Sequence, residues 1–411
     1  MGAGRAGVRS PWGVISQFCF PRGQVTKSLA CHSHINGDRR NDDSRGGTVQ
    51  TKGQTNAKAS AAGFASGYEN GLRDGACEYL YRHLQPAAPP RKDCRILYIP
   101  QGFEGIDQGV IEALRLTVRD VYVADPARMA EQAALIRPDW VLVLNGLHVF
   151  PANHLEQVDA VRSLGIRTAI WFADDPYVTA DTMYIAPRYD VVLTHELSTI
   201  PMYRERGCAE VIYMPLAVDH GRFKPMTVEE RYRSDVCFIG QAFWNRVEMF
   251  DALAPFLKNR KVFIAGGLWD RMKHYKTMQR FIRLGWLPVD ESIKYYNGAR
   301  IVINLHRTTE VGQDNKNVLN LPGRSINPRT YEISACGTLQ LTDCREDLPN
   351  YYTPGSDIET YADAGELRSK LEHYLSHEDD RRTIALRGLK RTLTEHTYVR
   401  RLQQIAEVLQ W

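Results

Sequence analysis

Trp140-Val-Leu-Val-Leu144 and Arg167-Thr-Ala-Ile-Trp-Phe172 are short, nearly unbroken apolar runs separated by a helix-length segment. Alternating apolar residues would mark a strand with one wet face. Continuous ones mark strands buried on both faces, as in a parallel sheet sandwiched between helices. The same grammar extends outward through Arg95–Ile99, Asp120–Ala124, Val191–Thr194 and Val211–Met214. Pro151–Leu164 and Leu197–Arg206 are long enough for right-handed crossover helices. After Pro215 the pattern restarts, with Val236–Ile239, Val262–Ala265, Ile301–Leu305 and Thr338–Leu341. Two Rossmann-like α/β domains follow, joined near Leu216–Pro225, where Pro, Gly and charged residues interrupt the pattern.

The bulk numbers agree. A chain of 411 residues exceeds what one hydrophobic core serves, and 43% hydrophobic with 24% charged residues is ordinary for a globular protein. No stretch approaches the roughly 18 unbroken apolar residues of a membrane span. The net charge of +4 is unevenly placed: residues 1–60 hold nine Lys/Arg against three Asp, so the remainder is slightly acidic. A nucleic-acid partner has no electrostatic support. Residues 1–60 are also poor in apolar surface, which predicts a disordered basic tail. Beyond it, Tyr68, Leu72, Cys77, Leu80 and Leu84 recur at helical spacing until Pro86, Pro89 and Pro90 intervene. The eight cysteines form no C-x-x-C and no Cys/His cluster of zinc spacing, which predicts free buried thiols in a reducing, cytoplasmic setting.

In open α/β sheets, ligands bind outside the carboxyl ends of the strands. Val236–Ile239 runs into Gly240, where the backbone can turn tightly, and then Asn245-Arg246 at a helix start. Arg246 either faces solvent from an ordinary loop or reaches phosphate oxygens with its forked donors. Farther on, Gly285-Trp286-Leu287 offers backbone to a base edge and an indole face for stacking, unless Trp286 is simply core. The richest stretch is Ser325-Ile-Asn327-Pro328-Arg329-Thr-Tyr-Glu332-Ile-Ser-Ala-Cys336-Gly337. Asn327 before Pro328 predicts a capped helix start, and Gly337 its end. Arg329 then lies in the first turn, where free amides and the helix dipole already favour an anion. Glu332 follows one turn later on the same face. The two residues form either a surface ion pair or an anion site with a neighbouring carboxylate free for ribose hydroxyls.

In the first domain, Asp174-Asp175-Pro176 and His195-Glu196 follow strands. These can deprotonate an acceptor hydroxyl or hold a divalent ion, or can serve as turn and capping residues. No G-x-G-x-x-G follows the strand ending at Ile99, so a dinucleotide oxidoreductase is disfavoured.

Taken in order, Tyr68-Glu-Asn-Gly71, Asp174-Asp175-Pro176, Thr194-His195-Glu196, Phe238-Ile239-Gly240 with Asn245-Arg246, Gly285-Trp286-Leu287 and Asn327-Pro-Arg329-Thr-Tyr-Glu332 with Ala335-Cys336-Gly337 resemble the CgeB/YkvP-like glycosyltransferases, a spore-maturation family. The resemblance implies a GT-B fold, two Rossmann-like domains with parallel sheets facing a central cleft. Residues 61–217 would form the acceptor-side domain and 218–395 the nucleotide-sugar domain, with 396–411 packing back on the first. It implies a metal-independent, hexosyltransferase-like enzyme with no cofactor beyond its nucleoside diphosphate sugar co-substrate. The acceptor, whether glycan, protein or small molecule, is not specified. Arg246 and Arg329, with Gly240, Asn245 and Asn327, become candidates for the diphosphate, Gly285, Trp286 and Leu287 for the base, and Glu332 for the ribose. Asp174, Asp175 and His195 become candidates for catalysis. Arg324 departs from the broader glycogen-synthase-like pattern, which has a glutamate there; donor identity and stereochemistry stay open. A non-catalytic nucleotide-sugar-binding protein and a nucleotide-sugar epimerase are the alternatives.

Overall fold

A computed structural model describes residues 52–85 and 89–411, of which Ser60–Trp411 form one compact unit. The first sheet contains β1 (Lys92–Ile99), β2 (Val118–Val123), β3 (Trp140–Leu144), β4 (Arg167–Phe172), β5 (Val191–Thr194) and β6 (Glu210–Tyr213). The second contains β7 (Ser234–Ile239), β8 (Val262–Gly266), β9 (Ile282–Leu284), β10 (Ala299–Asn304), β11 (Leu339–Asp343) and β12 (Glu359–Tyr361). Their orders are β2-β1-β3-β4-β5-β6 and β12-β11-β10-β7-β8-β9, and every pairing is parallel. The two apolar runs that decide the fold lie side by side, Trp140 opposite Arg167 and Leu144 opposite Trp171. Both are buried along nearly their whole length, as continuous apolar strands require.

Each sheet reverses direction once. In the first, the chain leaves β1 for β2 on one side and builds β3 to β6 on the other; in the second, β8 and β9 lie on one side of β7 and β10 to β12 on the other. The reversals place crevices between β1 and β3 and between β7 and β10, where neighbouring connections leave in opposite directions.

The terminal helices exchange partners. The helix Tyr398–Val408 lies on the first lobe: Leu402, Ile405 and Leu409 join the core made by β1, β3, β4 and the helix Glu104–Thr117. Gly109 is required there, because a Cβ would stand 2.4 Å from the Tyr398 ring. Each such buried aliphatic side chain contributes roughly 1.5–3 kcal/mol, enough to hold an eleven-residue helix in place. The helix Lys52–His83 behaves differently from expectation. It begins inside the segment expected to be a tail, of which residues 1–51 lie outside those described. Its later turns pack on the second lobe rather than the first, through Cys77 against Leu389 and Leu393 and through Arg73, which donates to the Cys336 carbonyl at 2.9 Å. Five of the described cysteines are buried thiols and Cys344 is exposed. Among the described residues, no helix is long and apolar enough to cross a membrane.

Candidate functional site

The second crevice is built by a polar scaffold under the helix Pro328–Ala335. Asn327 caps it, accepting from the Thr330 amide at 3.1 Å, with Pro328 at the first helical position. The Asn327 amide donates to His306 Nε2 at 2.9 Å, and His306 Nδ1 meets Asp343 Oδ1 at 2.6 Å. Nε2 is therefore the unprotonated nitrogen, and burial holds this ring neutral by pushing its pKa down to about 4. Asn304 and Asn327 exchange two further amide bonds. Asn327, expected to bind the donor, has its side chain committed to capping and to Asn304; it orients the helix instead. Asn327→Ala should destabilise the fold by ~1–3 kcal/mol in urea unfolding, since it removes a cap and leaves the buried Asn304 Oδ1 without its donor.

Arg329 and Arg246 converge on Gly240. The Arg329 guanidinium reaches back from the first helical turn to the Ile239 carbonyl at the end of β7, 2.9 Å away. Arg246, in the first turn of the helix Trp244–Leu257, is only 2% exposed and donates to the Leu305 and Gln241 carbonyls. A Cβ on Gly240 would stand 2.6 Å from one guanidinium and 3.0 Å from the other. Glycine is needed for that approach rather than for a tight turn: Gly240 does not have a positive φ. Burial, and then the charge of Arg329, pull the pKa of Arg246 well below its ordinary value. The surface Arg329–Glu332 pair does not form, and among the described residues no carboxylate lies within 4.0 Å of either guanidinium. Two like charges are thus held close together in a partly dry place with no carboxylate between them, an arrangement that costs free energy in the protein alone.

Glu332 lies on the same helix and faces the first lobe, its Oε1 3.9 Å from the place a Cβ on Gly105 would take. Burial raises its pKa to about 7 against the opposing pull of Arg329. No protein donor satisfies its side-chain oxygens among the described residues.

Other expected donor contacts are corrected by their surroundings. Asn245 donates to the His306 carbonyl at 2.9 Å, bracing β10, although its buried Oδ1 has no partner. Gly285 takes φ +96°, but its amide is used by the Gly266 carbonyl. Leu287 is buried in the protein, whereas Trp286 is 79% exposed and presents its indole at the end of β9.

On the facing lobe the three catalytic candidates separate. Asp175 is fully buried and accepts from Thr194 at 2.7 Å and from Tyr203 at 2.8 Å, with Thr199 and Thr182 completing the set. It ties β4 to β5 and has no oxygen left for a substrate, so its expected catalytic role is replaced by a structural one. Asp174 is partly exposed, fixed by the Asn145 amide at 2.7 Å and facing His148 Nε2 at 3.8 Å. The carboxylate raises the His148 pKa. His148 was not singled out from the sequence; the signal was its position just past β3, opposite the switch point. His195 is 5% exposed, and neither ring nitrogen has a hydrogen-bond partner.

Glu196 joins the lobes. Its carboxylate accepts the Arg324 and Ser325 amides at 3.1 Å each, just before the capped helix. A second seam runs through the loop after β10: the Lys316 amide donates to the Tyr177 carbonyl at 2.7 Å, and the Ala180 amide to the Lys316 carbonyl at 3.1 Å. The lobes are thus closed on one another beside the arginines. Arg307 sits in this seam, between the rings of Tyr177 and Phe243.

Known proteins share this plan. A family model described as Glycosyl transferase-like matches residues 246–407. The spore protein CgeB of Bacillus subtilis is 29% identical over 315 residues, spanning 74% of this chain and 95% of that protein. Among solved structures, Anabaena Alr3699/HepE in complex with UDP and glucose aligns with a TM-score of 0.54 at 11% identity, over 77% of this chain and 99% of that one. Sucrose-phosphate synthase from Thermosynechococcus elongatus aligns at 0.51 and 10% identity, over 77% and 98%. At such identities the structures speak for the GT-B fold alone, while the sequence match and the family model speak for the lineage. The chain is thus a glycosyltransferase-like protein of GT-B fold, similar along most of its length to CgeB.

Proposed function

We propose that this protein transfers a sugar from a nucleoside diphosphate sugar to an acceptor hydroxyl, with the diphosphate held between Arg246 and Arg329 at the amino end of the helix Pro328–Ala335. The observation that carries this reading is the convergence of two guanidinium groups on Gly240 with no carboxylate between them. Helix amides and two forked cations supply the positive charge that the departing diphosphate needs, so the reading involves no metal. Glu332 would accept hydrogen bonds from the ribose, and Trp286 would stack on the base. UDP is the first nucleotide to test, because HepE, which shares the fold, has been captured with UDP and with UDP-glucose.

On the acceptor side, His195 offers two buried, unpartnered nitrogens, and Asp174 with His148 lines the opposite crevice. The unpaired buried thiols fit a cytoplasmic setting.

Titration calorimetry and donor hydrolysis against UDP-, GDP- and dTDP-sugars test the proposal. One nucleotide should bind in the micromolar range or better, with slow release of the free diphosphate. Folded protein that binds none of them contradicts it. His195→Ala should retain nucleotide binding and lose about 100-fold or more in transfer, the scale of a positioned acid–base group. Unchanged transfer in that variant removes His195 from the mechanism. Binding without turnover in any cell extract would favour a protein that keeps the site but not the chemistry.

A further inference from the structure

Arg307 has no partner that explains it. Its Nε is buried and unpaired, and its guanidinium makes no hydrogen bond or ion pair with protein among the described residues. Outside the Arg246–Arg329 pair, four cations of this region each have a carboxylate: Arg345 pairs with Asp343, Arg271 with Asp314, Arg324 with Glu346 and Lys316 with Asp181. The carboxylates whose charge Arg307 feels, Asp174 and Asp314, are themselves engaged by Asn145 and Arg271. What holds the group is stacking, 4.9 Å from the Tyr177 centroid on the first lobe and 4.5 Å from that of Phe243 on the second. A guanidinium held by its faces leaves its N–H edge free for a planar, forked acceptor. Partial burial costs such a group its hydration, so an anion should return that free energy on binding.

The order of the strands says where along the substrate this edge lies. With the sheet running β10-β7-β8-β9, the exposed Trp286 follows β9, the arginine pair brackets the end of β7, and Arg307 follows β10. A nucleotide sugar laid along this row, base at Trp286 and diphosphate at Gly240, brings its glycosyl group toward Arg307. The Tyr177 side of the same guanidinium belongs to the acceptor lobe. One charge per phosphate is already matched by Arg246 and Arg329, which leaves Arg307 as surplus positive charge.

Resting on the donor site proposed above, we infer that Arg307 is a second anion subsite, which receives a carboxylate or phosphate carried either by the donor's sugar or by the acceptor. The enzyme therefore works on acidic sugars, as donor or as acceptor, rather than on a wholly neutral pair.

The test has two stages. Calorimetry first identifies which of UDP, GDP and dTDP binds most tightly; if none binds, the donor site itself fails, before Arg307 is touched. In the donor arm, the uronic acid conjugate of that nucleotide is compared with the matching neutral hexose conjugate. In the acceptor arm, glucose 6-phosphate is compared with glucose on protein saturated with the nucleotide. In one arm the anionic ligand should bind about 10-fold or more tightly, the scale of a charge-assisted forked pair. Arg307→Gln should reduce that preference to within about 2-fold, and Arg307→Lys should restore part of it. Thermal unfolding confirms that both variants fold. The inference is overturned by the absence of a preference in both arms, by a preference that survives Arg307→Gln, or by a loss as large for the bare nucleotide as for the anionic ligand, which would put Arg307 on the diphosphate.

Discussion

Replacing Arg329 with leucine is expected to weaken donor binding by about 100-fold or more, because truncating one partner of a desolvated charge pair costs ~2–5 kcal/mol. The same change should leave the melting temperature unchanged or raise it. Arg329 is held against Arg246 with no carboxylate between them, so removing one charge relieves a repulsion. The loss on the other side is one hydrogen bond to the Ile239 carbonyl, worth ~1 kcal/mol. Function and stability should therefore move in opposite directions, as at sites kept strained for a ligand. Calorimetric titration and thermal unfolding of one preparation measure both. A variant that melts several degrees lower yet binds nucleotide normally would mean that Arg329 is a structural brace.

The second large effect concerns Glu332. Its pKa in the folded protein is raised to about 7 from an ordinary 4.5, chiefly by burial. Between those values the folded protein binds the proton more tightly than the unfolded chain does. Stability must then fall as pH rises through this window and level off above about 7. Glu332→Gln cannot ionise, so the variant should match the parent near pH 5 and melt higher at pH 8. Its binding should change the other way. A carboxylate accepting both ribose hydroxyls is lost, which should weaken the nucleotide about 10- to 100-fold at pH 8, from ~1.5–3 kcal/mol per charged hydrogen bond. Parent affinity should climb between pH 6 and 8 while the variant stays flat. Parallel pH curves for the two proteins would exclude Glu332 from the ribose contact.

The fold was legible where burial is two-sided. All ten expected strands are present, because continuous apolar runs such as Trp140–Leu144 have no other comfortable place in an α/β protein. The two strands that were not expected, β9 and β12, are three-residue edge strands at opposite ends of the second sheet. Ile282-Arg-Leu284 is partly exposed throughout, so it has no apolar signature to read. The helix cap at Asn327-Pro328 was legible for the opposite reason: its chemistry is local.

The site was less legible, since its logic lies between segments distant in sequence. Arg246, Arg329 and Gly240 were each visible, but their meeting was not. Asp174 and Asp175 are neighbours with the same side chain, and only the three-dimensional structure separates a partly exposed carboxylate facing His148 from one enclosed by Thr194, Thr199 and Tyr203. Asn327 reads as a ligand-binding residue in a polar stretch, yet it spends its hydrogen bonds holding a helix in place, with His306 beneath it doing the same. Arg307 gave no sign, because an unpaired guanidinium is defined by what fails to surround it.

A crystal structure of the protein soaked with UDP addresses the central claim most directly. The diphosphate should lie at the end of β7 over Gly240, its oxygens ~3 Å from the guanidinium nitrogens of both Arg246 and Arg329 and from amides opening the helix Pro328–Ala335. Nucleotide bound elsewhere, with those two side chains untouched, would contradict the account.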